Sequence, residues 1–274
     1  MKVKHKHLQF TCVLSIFDRN DLFLNYDKVI SSIFRNTVIP NYFFLIVDGP
    51  ISFGFKKKVI LSRKKFKIKV FWLKKNIGEA KAFNKIIKKV KTPWVLKCDG
   101  DDFCLPNRFY QQLKLMKKNY DLIGSYVKEI NQKEKIYSIK KVPLNQISIE
   151  KYIKFRNPFN HMTVAFKKKV FLELDGYPDV FLKEDYCLWV KFIYYGYKCI
   201  NINKCLVNAN VDNNFFKRRS GLNYIISEFY LYKFLRKFEV NHVYDGIFIF
   251  LLRISLLSLN IYLKKFFYKF FLRN

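Results

Sequence analysis

Short, almost wholly apolar runs alternate with stretches of helical periodicity through the first half of the chain, and that alternation predicts an open α/β sheet. Residues 10–17 read as a buried strand. From Asp21 onward, Tyr26, Val29, Ile30, Ile33 and Phe34 recur at helical spacing. Residues 42–47 form a second strand, closed by Asp48-Gly49-Pro50, whose Gly-Pro pair forces a turn. A third strand spans residues 67–73. After Asn76-Ile77-Gly78 a helix carries Phe83, Ile86, Ile87 and Val90 along one face, and Trp94-Val95-Leu96 makes a fourth strand. Pro106 then opens a helix with Phe109, Leu113 and Met116 inward.

The second half has longer spacings. It predicts a strand at 162–166, a helix at about 184–195, and two strands near 199–202 and 205–211. No repeat or low-complexity linker separates the halves, so residues 1–240 are expected to be one continuous domain. Residues 241–274 form a basic, hydrophobic tail. There the apolar residues from Ile247 to Leu257 and Phe266-Phe267 are broken by Arg253, Lys264, Lys265, Lys269 and Arg273, too short and charged a pattern for a membrane span. Two readings stand for it: an interfacial segment whose basic residues meet anionic lipid, or a helix pair packed on the domain.

Composition narrows the class. The chain has 274 residues, half of them hydrophobic and 19% aromatic, which supports a large core and excludes a mainly disordered chain. Its net charge of +31 attracts polyanions: nucleic acid, nucleotide phosphates or anionic lipid. A basic nucleic-acid-binding protein is therefore one alternative, although no recognition-helix, zinc-finger or RNA-recognition signature accompanies the charge. The six cysteines form no metal-spaced cluster and read as reduced, buried thiols. The basic and apolar N-terminus imitates a signal peptide, but Asp18, Arg19 and Asp21 follow at once, so a core strand and a cytoplasmic protein are expected.

Open α/β sheets bind ligands beyond the carboxyl ends of their strands. Three strands here end in acids: Asp18, Asp48 and the cluster Asp99-Gly100-Asp101-Asp102. Carboxylates this close repel one another unless a cation compensates, and hard oxygen ligands suit Mg²⁺ or Mn²⁺. The small Gly100 is expected to let a ligand approach the backbone. The other reading is an acidic turn in which Asp102 or a neighbour caps the next helix. Glu184-Asp185 opens a helix bearing Leu188, Trp189 and Phe192, where carboxylates suit the dipole and chemistry equally. Arg218-Arg219 either grips phosphate or sits on a solvated loop. His161 is the one histidine in an interior part of the chain.

Taken in order, these pieces resemble the family 2 glycosyltransferases, in particular the amylovoran-type exopolysaccharide and lipopolysaccharide transferases. The matching segments are Leu14 to Phe17, Val47 to Pro50, Asn76 to Asn84, Asp99 to Asp102 with Leu105 to Phe109, Asn157 to Val164, Asp175-Gly176-Tyr177, Glu184 to Trp189, and Arg218 to Leu222. The resemblance covers roughly residues 10–240. It implies a GT-A fold, a single Rossmann-like mixed sheet flanked by helices with a C-terminal helical tail. It also implies a nucleotide-diphosphate sugar donor, a divalent metal (Mg²⁺ or Mn²⁺), inversion at the anomeric carbon, and a saccharide or lipid-linked saccharide acceptor.

Carried over residue by residue, the resemblance sets Ser15 and Phe17 against the nucleoside and Asp48 at the base. Asp99 and Asp101 match the Asp-x-Asp motif, with Asp101 the direct metal ligand and Asp99 facing ribose or metal. Asp185 matches the catalytic base. Lys81 falls near the donor loop, Arg218 and Arg219 near the diphosphate, and His161, Glu184 and Trp189 on the acceptor side. The implied enzyme is peripheral on the inner face of the cell membrane and binds no nucleic acid; a nucleotidyltransferase on a related fold is the chemical competitor. Departures are Lys97 where Arg is usual before the acidic cluster, Asn107 for Asp, and Asn210 for Arg.

Overall fold

The computed structural model describes residues 8–131, 135–211, 221–259 and 263. Four parallel strands, β1 (Phe10–Ile16), β2 (Tyr42–Val47), β3 (Ile68–Trp72) and β4 (Trp94–Asp99), lie in the order β3-β2-β1-β4. Every residue of β1 is buried, as is β2 after Tyr42. Burial on both faces is why these strands read as continuous apolar runs rather than alternating ones. Beyond β4 the sheet continues through β8 (Ala165–Lys167), β6 (Leu122–Ile130), β9 (Cys199–Asn210) and β5 (Phe103–Cys104), with β7 (Ile136–Lys140) on β6. β8 is antiparallel to both β4 and β6, and β6 is parallel to β9, so the nine-stranded sheet is mixed.

Helices cover both faces. α1 (Asn20–Phe34), α2 (Phe53–Lys65) and α4 (Arg108–Met116) enclose one core with Cys12, Leu14 and Ile16 of β1. α3 (Glu79–Ile87), α5 (Gln146–Tyr152), α6 (Lys168–Glu173) and α7 (Glu184–Tyr194) enclose the other with Val13 and Val95. In α1 the predicted stripe Tyr26, Val29, Ile30 and Ile33 is buried, each large aliphatic side chain contributing about 1.5–3 kcal/mol. α8 (Leu222–Lys237) adds Leu231 and Leu235 to the second core, and α9 (Val243–Ser258) packs along α8.

The α/β expectation is borne out, with differences in detail. The sequence pattern gives no helix at α2, because only Phe55, Val59 and Ser62 are buried among its lysines. β6 and β7 carry no sequence expectation either. The two strands expected near 199–202 and 205–211 are one strand, β9, whose register against β6 slips where Ile202 pairs Ser125 and Cys205 pairs Tyr126. Asn203 and Lys204 bulge there, which imitates a strand break in the sequence. The strand expected at 162–166 begins only at Ala165; His161–Thr163 is a 3-10 turn in which the Thr163 hydroxyl donates to Asn160 O at 2.7 Å.

Candidate active site

A cleft of about 800 Å³ opens at the carboxyl ends of β1, β2 and β4, and the Glu184 end of α7 faces it. Ser15 and Phe17 come from the end of β1, Asp48 from the end of β2, and Asp99 from the last position of β4. Asp99 is thus a strand residue rather than a loop residue, paired with Ser15 across the β1–β4 register. Lys81 lines the cleft from α3, and Asp101 and Glu184 complete the acidic wall. The sequence reading and the fold therefore bring Ser15, Phe17, Asp48, Lys81, Asp99, Asp101 and Glu184 to one cavity. Arg218 and Arg219 lie outside the described residues.

Asp48 is buried, and its two carboxylate oxygens accept the N–H groups of Ile77 and Gly78 at 2.9 and 3.0 Å. It fixes the Asn76-Ile77-Gly78 loop at the cleft wall while retaining further lone-pair sites. Phe17 is partly covered by the Arg19 guanidinium, 5.2 Å from its ring centre. Arg19 also pairs with Asp101 at 2.7 Å and Asp21 at 2.5 Å, tying the β1 loop to the acidic cluster. Lys81 pairs with Asp179 at 2.9 Å, joining α3 to the segment before α7.

Lys97, fully buried, is the cation beneath the cluster. Its ammonium pairs with Asp99 and, at 2.5 Å, with Glu79. Burial alone would lower its pKa, but Asp99 and Glu79 raise it above the lysine range. For Asp99, burial pushes the carboxyl up and Lys97 outweighs that, leaving it below the aspartate range. Asp101 is pushed up by burial and by Asp99, against Arg19. Asp102 is pushed well up by burial, then by Asp101 and Asp99. Asp102 does not cap a helix: it accepts the Asn210 N–H at 2.9 Å, and α4 starts at Arg108 with Asn107 at its N-cap position and no side-chain cap.

Several expectations are corrected. Gly100 lines the cleft, and a Cβ there would also meet Leu22 Cδ2 at 3.0 Å and Ile16 Cγ2 at 3.2 Å, so the glycine serves core packing as well. Trp189 cannot touch an acceptor. It is fully buried in the core, edge-on to Phe159, because α7 turns that face inward with Leu188 and Phe192. His161 is half-buried, with Nε2 2.7 Å from the Tyr177 hydroxyl, and Tyr177 lines the cleft. Asp185 is not among the described residues that line the cleft. One of its oxygens accepts from Asn157 Nδ2 at 2.7 Å and the other from its neighbour's N–H, Tyr186, at 2.7 Å.

Sequence reasoning missed two residues that organise the site. Lys97 was noted only as a departure from a pattern. Arg108, 1% exposed, donates to Lys97 O at 2.6 Å and to Cys104 Sγ at 3.2 Å, clasping both ends of the acidic turn. A basic residue two positions before an acidic cluster, and another just after its proline, was the available signal.

Among the described residues no three His, Cys, Asp or Glu side chains converge as a metal cage. Mg²⁺-type ions are instead commonly held by one or two carboxylates together with substrate phosphates, and Asp99 and Asp101 on the cleft wall fit that mode. The proton-retaining tendency of Asp101 beside Asp99 is a charge excess that a bound cation would relieve.

The model of glycosyl transferase family 2 matches residues 55–174. The chain is 37% identical over 225 residues, 80% of each sequence, to the UDP-Gal:alpha-D-GlcNAc-diphosphoundecaprenol beta-1,3-galactosyltransferase of Escherichia coli. It is 28% identical to the amylovoran biosynthesis glycosyltransferase AmsE of Erwinia amylovora, over 89% of this chain and 92% of that one. Among solved structures, S. aureus TarS 1-349 in complex with UDP-GlcNAc superposes with a TM-score of 0.68 at 15% identity, covering 94% of this chain and 78% of the other, a likeness of fold.

Proposed function

We propose, from the premise that this chain belongs to glycosyl transferase family 2, that it is an inverting, metal-dependent enzyme. It would move a sugar from a nucleotide-diphosphate sugar to a hydroxyl of a lipid-linked or surface-polysaccharide saccharide. The observation that carries the reading is the 800 Å³ cleft in which the strand-end acids Asp48, Asp99 and Asp101 face the first turn of α7. The similarity to the E. coli galactosyltransferase, with its UDP-Gal donor and diphosphoundecaprenol-linked acceptor, and to TarS in its complex with UDP-GlcNAc supports the donor and acceptor classes.

In this reading Ser15, Phe17 and Asp48 hold the nucleoside, and Asp99 and Asp101 face the diphosphate. Asp101 and Asp99 would hold a Mg²⁺ or Mn²⁺ ion, which would neutralise charge on the leaving diphosphate. Lys81 on the cleft wall adds positive charge for the leaving group, the task the resemblance also assigns to Arg218 and Arg219. Inversion needs one displacement, with a single base taking the acceptor hydroxyl proton as the glycosidic bond forms. Asp185 is that base. The Asn157 bond orients it in the first turn of α7. Glu184 and His161 lie on the acceptor side. Cleavage at the anomeric carbon builds positive charge on the sugar, as in glycoside hydrolysis, and the acidic wall suits it. The lipid-linked acceptor makes the enzyme peripheral at the inner face of the cell membrane.

The test is transfer to a synthetic diphospholipid-linked acceptor, with donor binding followed separately. Asp185→Asn keeps an acceptor for Asn157 and should abolish transfer while leaving nucleotide binding intact. Glu184→Gln should retain measurable transfer. The reverse pattern would move the base to Glu184, and failure of the wild type to bind any nucleotide sugar with Mn²⁺ or Mg²⁺ would sink the reading.

A further inference from the structure

We propose that the outer face of the α8–α9 hairpin is a docking surface for an anionic bilayer; this deepens, and rests on, the lipid-linked acceptor of the proposed function. α9 is apolar nearly all round, with Asp245 and Arg253 its only charged residues, a composition expected of a buried helix. Yet Tyr244 is 86% exposed and Phe248 68%, and Leu251 and Leu252 lie open beside them at helical spacing. Ile226 and Tyr230 of α8 are exposed as well. No described residue covers it.

Three observations select a bilayer as the occupant. The chain carries a net charge of +31, so a second copy is repelled while an anionic leaflet is attracted. Exposed Lys233 and Lys237 on α8 balance exposed Glu239 and Asp245, so the hairpin itself does not repel an anionic leaflet and the attraction comes from the net charge of the chain. No described helix is long and apolar enough to cross a membrane, and 16 residues of α9 span only about 24 Å, so the helix lies in the interface plane. The aromatic content of the face suits the headgroup boundary.

The hairpin is also fixed to the cleft. Glu228 of α8 is buried and accepts from Lys183 at 2.6 Å and from Arg253 of α9 at 3.1 Å. Arg253 further donates to the Tyr186 hydroxyl at 3.1 Å. Lys183 directly precedes the first turn of α7, and Tyr186 belongs to it. Docking of the hairpin therefore sets the orientation of the Glu184–Asp185 end toward the membrane surface.

The full chain would be sedimented with vesicles of phosphatidylglycerol and phosphatidylcholine, and of phosphatidylcholine alone. The wild type is expected to bind the anionic vesicles selectively, and a Phe248→Glu, Leu252→Glu double variant to bind at least about tenfold less. The double variant should keep the wild-type thermal shift with UDP and Mn²⁺. A Phe248→Trp variant, which adds no charge, should show an emission blue shift on anionic vesicles relative to wild type. Equal sedimentation of the double variant, no blue shift, or a vesicle-independent dimer that the double variant dissociates would each overturn the proposal. Loss of the UDP shift in the wild type would count against the donor reading alone.

Discussion

Replacing Lys97 with Met removes the one fully buried ammonium under the acidic wall while keeping most of its volume. Glu79 is 47% exposed and regains solvent, so its loss of a partner costs little. Asp99 is 20% exposed at the side chain and is left without its closest cation. Breaking a buried pair from one side costs about 3–5 kcal/mol, because the remaining charge stays desolvated. For a chain of this size that is a fall in Tm of roughly 10 °C. Differential scanning fluorimetry at pH 7 measures it, with Lys97→Arg as the charge-retaining comparison. The pH dependence has a definite sign. The depressed Asp99 carboxyl contributes stability that is present above the ordinary aspartate value of about 3.9 and is lost as pH falls through its folded-state value. The gap between wild type and Lys97→Met should therefore narrow on acidification. A Tm at pH 7 within about 2 °C of wild type would refute the account of Lys97 as the counter-charge of Asp99.

Arg108→Lys keeps the charge but loses the fork that reaches both Lys97 O and Cys104, so it should lower stability by about 2 kcal/mol or more in urea unfolding and weaken UDP binding. Gly176, with φ of +67°, would place a Cβ 2.4 Å from Asn84 Oδ1 and 2.8 Å from the Phe171 ring; Gly176→Ala should cost more than about 2 kcal/mol and release the Asn84 clamp on the Tyr177 backbone, read as a Tm loss with weaker nucleotide binding. The cysteines are all free and only Cys205 is not buried. A bond with Cys104 lowers Cys98, but Cys12 and burial reverse this and push it up to about 12, so it stays a thiol at pH 8. An aromatic disulfide reagent should titrate at most one thiol in native protein and six in denaturant.

What was legible in the chain divides along a physical line. β1 and β2 announced themselves because burial on both faces leaves no polar position, and α1 because its stripe is unbroken. The strand-end acids were legible for a related reason: Asp48 is the first polar group after a buried run and Asp99 the last residue of β4, where an open sheet places its ligands. α2 was hidden because three buried positions among lysines give no periodic signal, and β9 because its bulge against β6 looks like a break. Trp189 was misread because residues at helical spacing do not say which face is solvated; packing against Phe159 and Phe192 decides that.

Lys97 and Arg108 were hidden more deeply. A lysine within a buried strand is costly unless it is paired, and its partners come from β4 itself and from α3, 18 residues earlier. Among the described residues Arg108 makes no ion pair with a carboxylate, donating instead to a backbone carbonyl, the Gln112 amide oxygen and two thiols while its charge helps hold Asp99 ionised. The acidic motif is readable as a string, but its charge state is set by two buried cations delivered by the topology. The competence of Asp99 and Asp101 to face a diphosphate is therefore a property of the fold around them as much as of the motif.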